Sequence, residues 1–250
     1  MSRIAIVAAL AGELKPLVRG WRHECADGVD LWRWKFDEGE WVAACAGAGV
    51  DAAMRAFAAA EKDGTLTAVI STGWAGALSE EFKPGEAYRV AGVIDARTGE
   101  RLPAADWPEQ DEQTQNVWLV TSPRVADAAE KRRLAAAYGA GLVDMEAAGV
   151  ARLAAMRGIP FRCIKGVSDG FGDNLPDFNR FLTPQGQFLL ARFVLFAVFR
   201  PWCWPALLRM GENSTKAAQA IRGSLLANLD SSGAIRNRNG YPNRSRQQPD

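Results

Sequence analysis

Three carboxylates stand at the ends of short apolar segments: Glu13 beyond 4–10, Glu146 beyond 142–143, and Asp169 beyond 161–165. For any one of them the plain reading is a helix-starting residue favoured by the helix dipole. Asp144 and Glu146 are odder, because two acids interrupt an otherwise apolar register, while Ser168-Asp169-Gly170 reads equally as an N-cap and turn. As a set, in a chain whose single histidine is His23, they point to acid–base work by carboxylates on a neutral or cationic leaving group. One histidine excludes a multi-histidine metal site, and Cys25, Cys45, Cys163 and Cys203 show no CxxC spacing. Neither metal nor cofactor is expected, and free thiols in a reducing cytoplasm are the default.

The elements that must position these groups alternate along the chain. Residues 4–10 are short and continuously apolar, as in a strand buried on both faces. Residues 31–46 read as two strands around Asp37-Glu-Gly-Glu40, and Gly47-Ala-Gly49 leads into an alanine-rich helix over 50–62. Further strands are predicted at 67–71, 86–95, 117–121, 142–146 and 161–165, and an acidic, proline-containing loop at 96–116. Helices are predicted at 125–137, after 146, at 184–199 and at 213–228, and the basic run Lys131-Arg132-Arg133 reads as a solvated helix face. His23 reads as a surface residue. The alternation implies an α/β fold, one domain over 1–229 with a central mixed, largely parallel twisted sheet flanked by helices. Residues 230–250 are almost free of apolar side chains and read as a disordered polar tail. Ligands in such folds bind beyond the carboxyl ends of the strands, which directs attention to 11–13, 47–49, 72–76 and 168–169.

The 250 residues are 48% hydrophobic and 24% charged, which excludes wholesale disorder. Thirty Lys plus Arg against 29 Asp plus Glu give no electrostatic reason to expect nucleic acid. The apolar start is too short for a signal peptide, and no stretch reaches the ~20 apolar residues that span a bilayer. A cytoplasmic chain is expected. Gly47-Ala-Gly49-Val-Asp-Ala52 matches a GxGxxA turn, but the next strand ends in Ser71-Thr72-Gly73 without the acid that would hold a dinucleotide ribose. What survives is a helix start whose free N–H groups face an anion or a sugar.

Four segments in order carry a resemblance: IAIVAALAGELKPL at 4–17, Gly-Ala-Gly at 47–49, STGWAGAL at 71–78 and VDMEAAGVARLAAMRGIPFRCIKGVSDG at 143–170. Over roughly 3–200 the chain resembles the nucleoside phosphorylase / nucleosidase superfamily, and most of all methylthioadenosine/S-adenosylhomocysteine nucleosidases. The resemblance implies cleavage of a purine N-glycosidic bond, with roles carried over position by position. Asp169 would protonate the purine at N7, Glu13 would activate water, Glu146 would accept hydrogen bonds from the ribose hydroxyls, and Met145 would pack on the sugar. Ser168 joins the site, and Gly73, Trp74, Ala75 and Gly76 would line the ribosyl side. Asp169 must then carry its proton at the working pH, a state that burial favours. The resemblance also implies a homo-oligomer, with a dimer favoured.

Some positions differ from that pattern. Trp74 stands where relatives carry a small residue, and Pro123, Arg124 and Val125 stand where they place an aromatic against the base. No arginine follows Ala11-Gly12 at the distance expected of a phosphate anchor, and Glu13 is available to activate water, so hydrolysis is expected ahead of phosphorolysis. Residues 193–210 combine apolar side chains with Trp202, Trp204, Arg200 and Arg209, which reads first as a core helix followed by a capping turn and, as the alternative, as a surface for peripheral contact with the inner membrane face. The chain is similar also to hopanoid-associated phosphorylases, which implies phosphorolysis of an adenosine-bearing lipid as the alternative. A non-catalytic nucleoside-binding protein is the third reading.

Overall fold

The computed structural model describes residues 2–36, 39–107, 117–173, 176–183 and 185–227. In chain order the elements are β1 (Ser2–Ala8), α1 (Ala11–Leu14), β2 (Arg22–Ala26), β3 (Val29–Phe36), β4 (Gly39–Cys45) and α2 (Val50–Glu61). There follow β5 (Ala68–Ser71), β6 (Trp74–Ala77), β7 (Ala87–Asp95), β8 (Arg101–Pro103), β9 (Val117–Thr121) and α3 (Ala128–Tyr138). The chain continues through β10 (Leu142–Asp144), α4 (Ala147–Arg157), β11 (Phe161–Asp169), α5 (Leu190–Val198) and α6 (Trp204–Ala227).

The strands form one sheet in the order β2-β3-β4-β1-β5-β11-β6-β10-β9-β7-β8. β4, β1, β5 and β11 are mutually parallel neighbours, so their carboxyl ends share one edge. β11 is the hinge of the architecture. Its first half pairs with β5, and its second half pairs with β6 and antiparallel to β7, so the sheet curls back and closes a ring through β6, β10, β9 and β7. The mixed α/β domain agrees with the sequence expectation.

The first strand shows why the layers form. Ala5 and Val7 pack into the cluster shared with α2 and α4, while Ile4, Ile6 and Ala8 pack with Leu14, Ile221 and Leu225 on the opposite face. Every second side chain of a strand points the same way, so a continuous apolar run can serve two helix layers. α2 is alanine-rich, which favours the helix and lets it sit close: Ala52, Ala53, Ala56 and Ala60 are fully buried beside Phe57. α3 begins at Asp127, whose side chain accepts from Glu130 N at 2.8 Å.

Several expectations need correction. β2 was not foreseen, because its residues are largely exposed and carry no alternating pattern. Residues 74–77 are not a turn at a strand end but the short strand β6, paired on both sides with β11 and β10. β11 likewise runs on to Asp169 instead of ending near 165, held by β6 and β7. Residues 101–103 of the expected loop pair with β7, and 108–116 lie outside the described residues, as do Asp37, Glu38 and the whole of 230–250. α6 starts nine residues before the expected 213, at Trp204, whose Nε1 donates to Ala197 O at 2.8 Å.

Candidate active site

The shared sheet edge opens into a cavity of about 180 Å³. It is lined by Ala9, Leu10 and Glu13 from the β1–α1 junction, by Ala48, by Trp74, Ala75 and Gly76 of β6, by Arg124–Ala126 and Lys131, by Val143–Glu146, and by Ser168 and Asp169. Of the sequence-predicted residues, Glu13, Trp74, Ala75, Gly76, Met145, Glu146, Ser168 and Asp169 thus reach one hollow. A second hollow of about 410 Å³ adjoins it and shares Ala48, Arg124 and Met145.

Gly73 is the exception. It does not line the cavity but lies behind Glu13, with φ at +119°, where a Cβ would stand 2.7 Å from Glu13 Oε1. Only a glycine leaves the carboxylate this seat. Glu13 Oε2 accepts from Ala9 N and Leu10 N, each at 2.8 Å, and Oε1 accepts from Trp74 N at 2.7 Å. Burial raises the ionisation point of Glu13, and these N–H donors together with Lys165 pull it back toward the charged form.

The Asp144-Met145-Glu146 segment divides its labour. Asp144 ties the fold: Oδ1 accepts from Thr121 Oγ1 at 2.7 Å, and Oδ2 accepts from Ala147 N and from Lys165 Nζ, each at 2.9 Å. Glu146 reaches across the cavity, where Oε1 accepts from Gly49 N at 2.7 Å and Oε2 from its neighbour Met145 N at 3.1 Å. The free N–H expected at the Gly-Ala-Gly turn therefore faces a carboxylate of the protein. Burial and then the charge of Asp144 push the Glu146 carboxyl up to about 8.

Two lysines were missed by the sequence reading. Lys165 is 1% exposed within β11 and donates to Thr72 O at 2.9 Å as well as to Asp144. Burial opposes its charge, but Asp144, Cys163, Glu146 and Glu13 outweigh that and hold the ammonium above its usual range. A lysine inside an otherwise apolar strand was the available signal. Lys131, expected on a solvated face, is also 1% exposed, and its Nζ contacts Asp169 Oδ2. It shares a helix face with Ala128 and Leu134, and that i, i+3 spacing could have placed it inward.

Asp169 is brought to the cavity by an irregularity. The β11–β6 register shifts between Val167 and Asp169, so that Ser168 and Asp169 both line the hollow although adjacent in a strand. Ser168 Oγ donates to Asp169 Oδ1 at 2.6 Å. Trp74 fixes its indole by donating from Nε1 to Ser214 O at 3.0 Å and borders both this cavity and a groove between α1 and α6. Beyond Arg124, Val125 is clamped by Asn179, which donates to Val125 O at 3.0 Å and accepts from Val125 N at 2.8 Å. His23 lies at the surface, stacked on Trp32 and bonded to Asp30.

The family model described as the phosphorylase superfamily matches residues 3–119 and 114–191. No curated protein matches the sequence. Among solved structures, the chain is similar to the Arabidopsis thaliana 5'-methylthioadenosine nucleosidase, at 18% identity and a TM-score of 0.68 over 91% of this chain and 94% of that one. It is similar to the Helicobacter pylori 5'-methylthioadenosine/S-adenosylhomocysteine nucleosidase, at 13% identity and a TM-score of 0.67 over 90% and 98%. The Helicobacter pylori futalosine hydrolase matches at 14% identity and a TM-score of 0.64 over 90% and 98%. At these identities the structures speak for the fold, and the family match spans most of the sequence: the chain belongs to the phosphorylase superfamily.

Proposed function

We propose that the protein hydrolyses the N-glycosidic bond of an adenosine-type purine nucleoside and releases the free base. The observation that carries this is the convergence of Glu13, Glu146 and Asp169, from three distant segments, on one cavity without a metal-ligating cluster among the described residues. In this reading Glu146 accepts from the ribose hydroxyls while Met145 packs on the sugar. Asp169 delivers a proton to N7, so the C1'–N9 pair leaves on a purine that departs neutral. Glu13 takes a proton from the water whose oxygen bonds to C1', and its charge steadies the oxocarbenium-like sugar. Each proton transfer contributes about 10²–10⁴-fold, or roughly 3–5.5 kcal/mol. Water is favoured over phosphate because Glu13 already occupies the N–H groups of Ala9, Leu10 and Trp74, which would otherwise suit an anion.

The test is base release from a panel of adenosine derivatives, with and without phosphate. Asp169→Asn is expected to lower turnover by about 10²–10⁴-fold with its melting temperature retained. Wild-type turnover in that variant removes the acid, strict phosphate dependence converts the reading to phosphorolysis, and binding without base release leaves a nucleoside sensor.

A second reading concerns where the substrate resides. α5 buries none of its residues, and Leu195, Phe199, Trp202 and Leu208 are 61–72% exposed. Residues 178–211 contain Arg180, Arg192, Arg200 and Arg209 but no Asp or Glu. No single described helix is long and apolar enough to cross a membrane. Apolar and tryptophan side chains bordered by arginine fit the surface of an anionic bilayer, and with it a lipid-borne nucleoside. Flotation with vesicles containing anionic lipid is expected, and loss of flotation in Trp202→Ser/Phe199→Ser is the check. A chain that stays with the soluble fraction and elutes as a dimer would assign this face to a second copy instead.

A further inference from the structure

Lys131 has no part in the chemistry described so far, yet it lies at the site's wall. Its Nζ contacts Asp169 Oδ2 and donates to Gly170 O at 2.6 Å. The opposite carboxyl oxygen takes the Ser168 hydroxyl. β6 leaves room for the pair only because residue 76 is glycine: a Cβ there would stand 2.9 Å from Lys131 Cε and 3.1 Å from Asp169 Oδ2. Both Lys131 and Asp169 line the cavity. Burying an ammonium costs several kcal/mol unless it is well paired, and this pair is placed where both of its groups border the hollow.

We propose that Lys131 and Asp169 act as one acid, in which the lysine ammonium supplies the proton that the carboxyl passes to the departing base. This rests on the nucleosidase reading above. As C1'–N9 breaks, its electron pair moves to the purine, whose nitrogen becomes about as basic as an alkyl amine. Asp169 takes a proton from Lys131 and passes it to N7, and Lys131 is left as the neutral amine. The attacking water bonds to C1' and loses a proton to Glu13, and exchange with solvent returns that proton to Lys131. Asp169 then need not hold its own proton in the resting enzyme, in contrast to the expectation from sequence. Other charged groups bordering the cavity are Glu13, Asp144, Glu146 and Arg124. On α3, Glu130 is turned to Arg124 and Arg133, and Asp173 is engaged with Gly170 N.

The experiment compares Lys131→Met and Lys131→Arg with wild type on the adenosine derivative cleaved fastest and on 4-nitrophenyl riboside, whose leaving group departs without protonation. Arginine keeps the charge but does not give up a proton. Both variants are expected to lose about 10²-fold or more in kcat on the nucleoside with KM within about threefold. The alkaline limb of kcat moves to lower pH in Lys131→Met, while turnover of the nitrophenyl riboside stays near wild type. Melting temperatures show that each variant folds, and if Lys131→Met does not, Lys131→Arg carries the comparison. Wild-type nucleoside turnover in Lys131→Arg, or an equal loss on both substrates, overturns the proposal and leaves a structural ion pair. Absence of base release by the wild-type enzyme on any nucleoside overturns the underlying reading as well.

Discussion

The two ends of the cavity hold their carboxylates by different means. Glu13 receives three backbone N–H groups and Glu146 two, whereas Asp169 is met by the side chains of Lys131 and Ser168. Backbone donors move only with the chain and do not release protons, so they set position and favour charge. An ammonium and a hydroxyl can exchange protons. In the proposed mechanism the Glu13–Glu146 end thus fixes the position of its carboxyl groups, and the Asp169 end passes a proton.

The largest test of that contrast is Glu13→Gln, expected to lower kcat by about 10²–10⁴-fold in base-release assays. Gly73→Ala attacks the same end through its frame. Its Cβ would collide with the Glu13 carboxylate on a backbone at φ +119°, so a stability loss of about 1–3 kcal/mol should accompany a fall in kcat. Unchanged kcat in Gly73→Ala would break the claim that the frame sets Glu13.

Glu146→Gln should act mainly on binding. Losing one ordinary hydrogen bond to a ribose hydroxyl, worth about 0.5–1.5 kcal/mol, should raise KM by roughly 2–13-fold, read from Michaelis curves. The same variant sharpens the electrostatic side. Folded Glu146 keeps its proton up to about 8 while the unfolded chain releases it near 4.5, so the folded state binds more protons between these values. Stability therefore falls as pH rises through that window, by up to about 1.4 kcal/mol per pH unit for one proton. Denaturant titrations from pH 5 to 8 should show this slope in the wild type and a flatter line in Glu146→Gln.

The smallest expected effect lies at the rim. Asn179→Ala removes two hydrogen bonds to Val125, and a net loss of about 1–2 kcal/mol should appear as faster amide exchange at 124–126. Exchange unchanged there would show that the wall beside Arg124 is held by α3 alone.

Much of this was readable before the fold. The buried first strand, the alanine-rich α2 and the order of the site segments follow from apolar runs and glycine turns, because each is a local pattern. β2 and β6 were not, since their pairing depends on strands far along the chain. Asp144 and Glu146, two residues apart, could not be assigned separate tasks until Thr121 and Lys165 were seen to claim the first.

The sequence by itself determined the α/β alternation, the carboxylates available for chemistry and the absence of a multi-histidine centre, because residue type and local period are properties of the chain. Only the tertiary structure decided that Gly73 backs Glu13 instead of facing the cavity, and that Lys131 is buried against Asp169. A charged side chain within a helix reads as solvated until its counter-charge is known. Here that partner lies 38 residues away on a strand, and only the folded arrangement, which sets Lys131 beside Gly76 and Asp169, brings the two together.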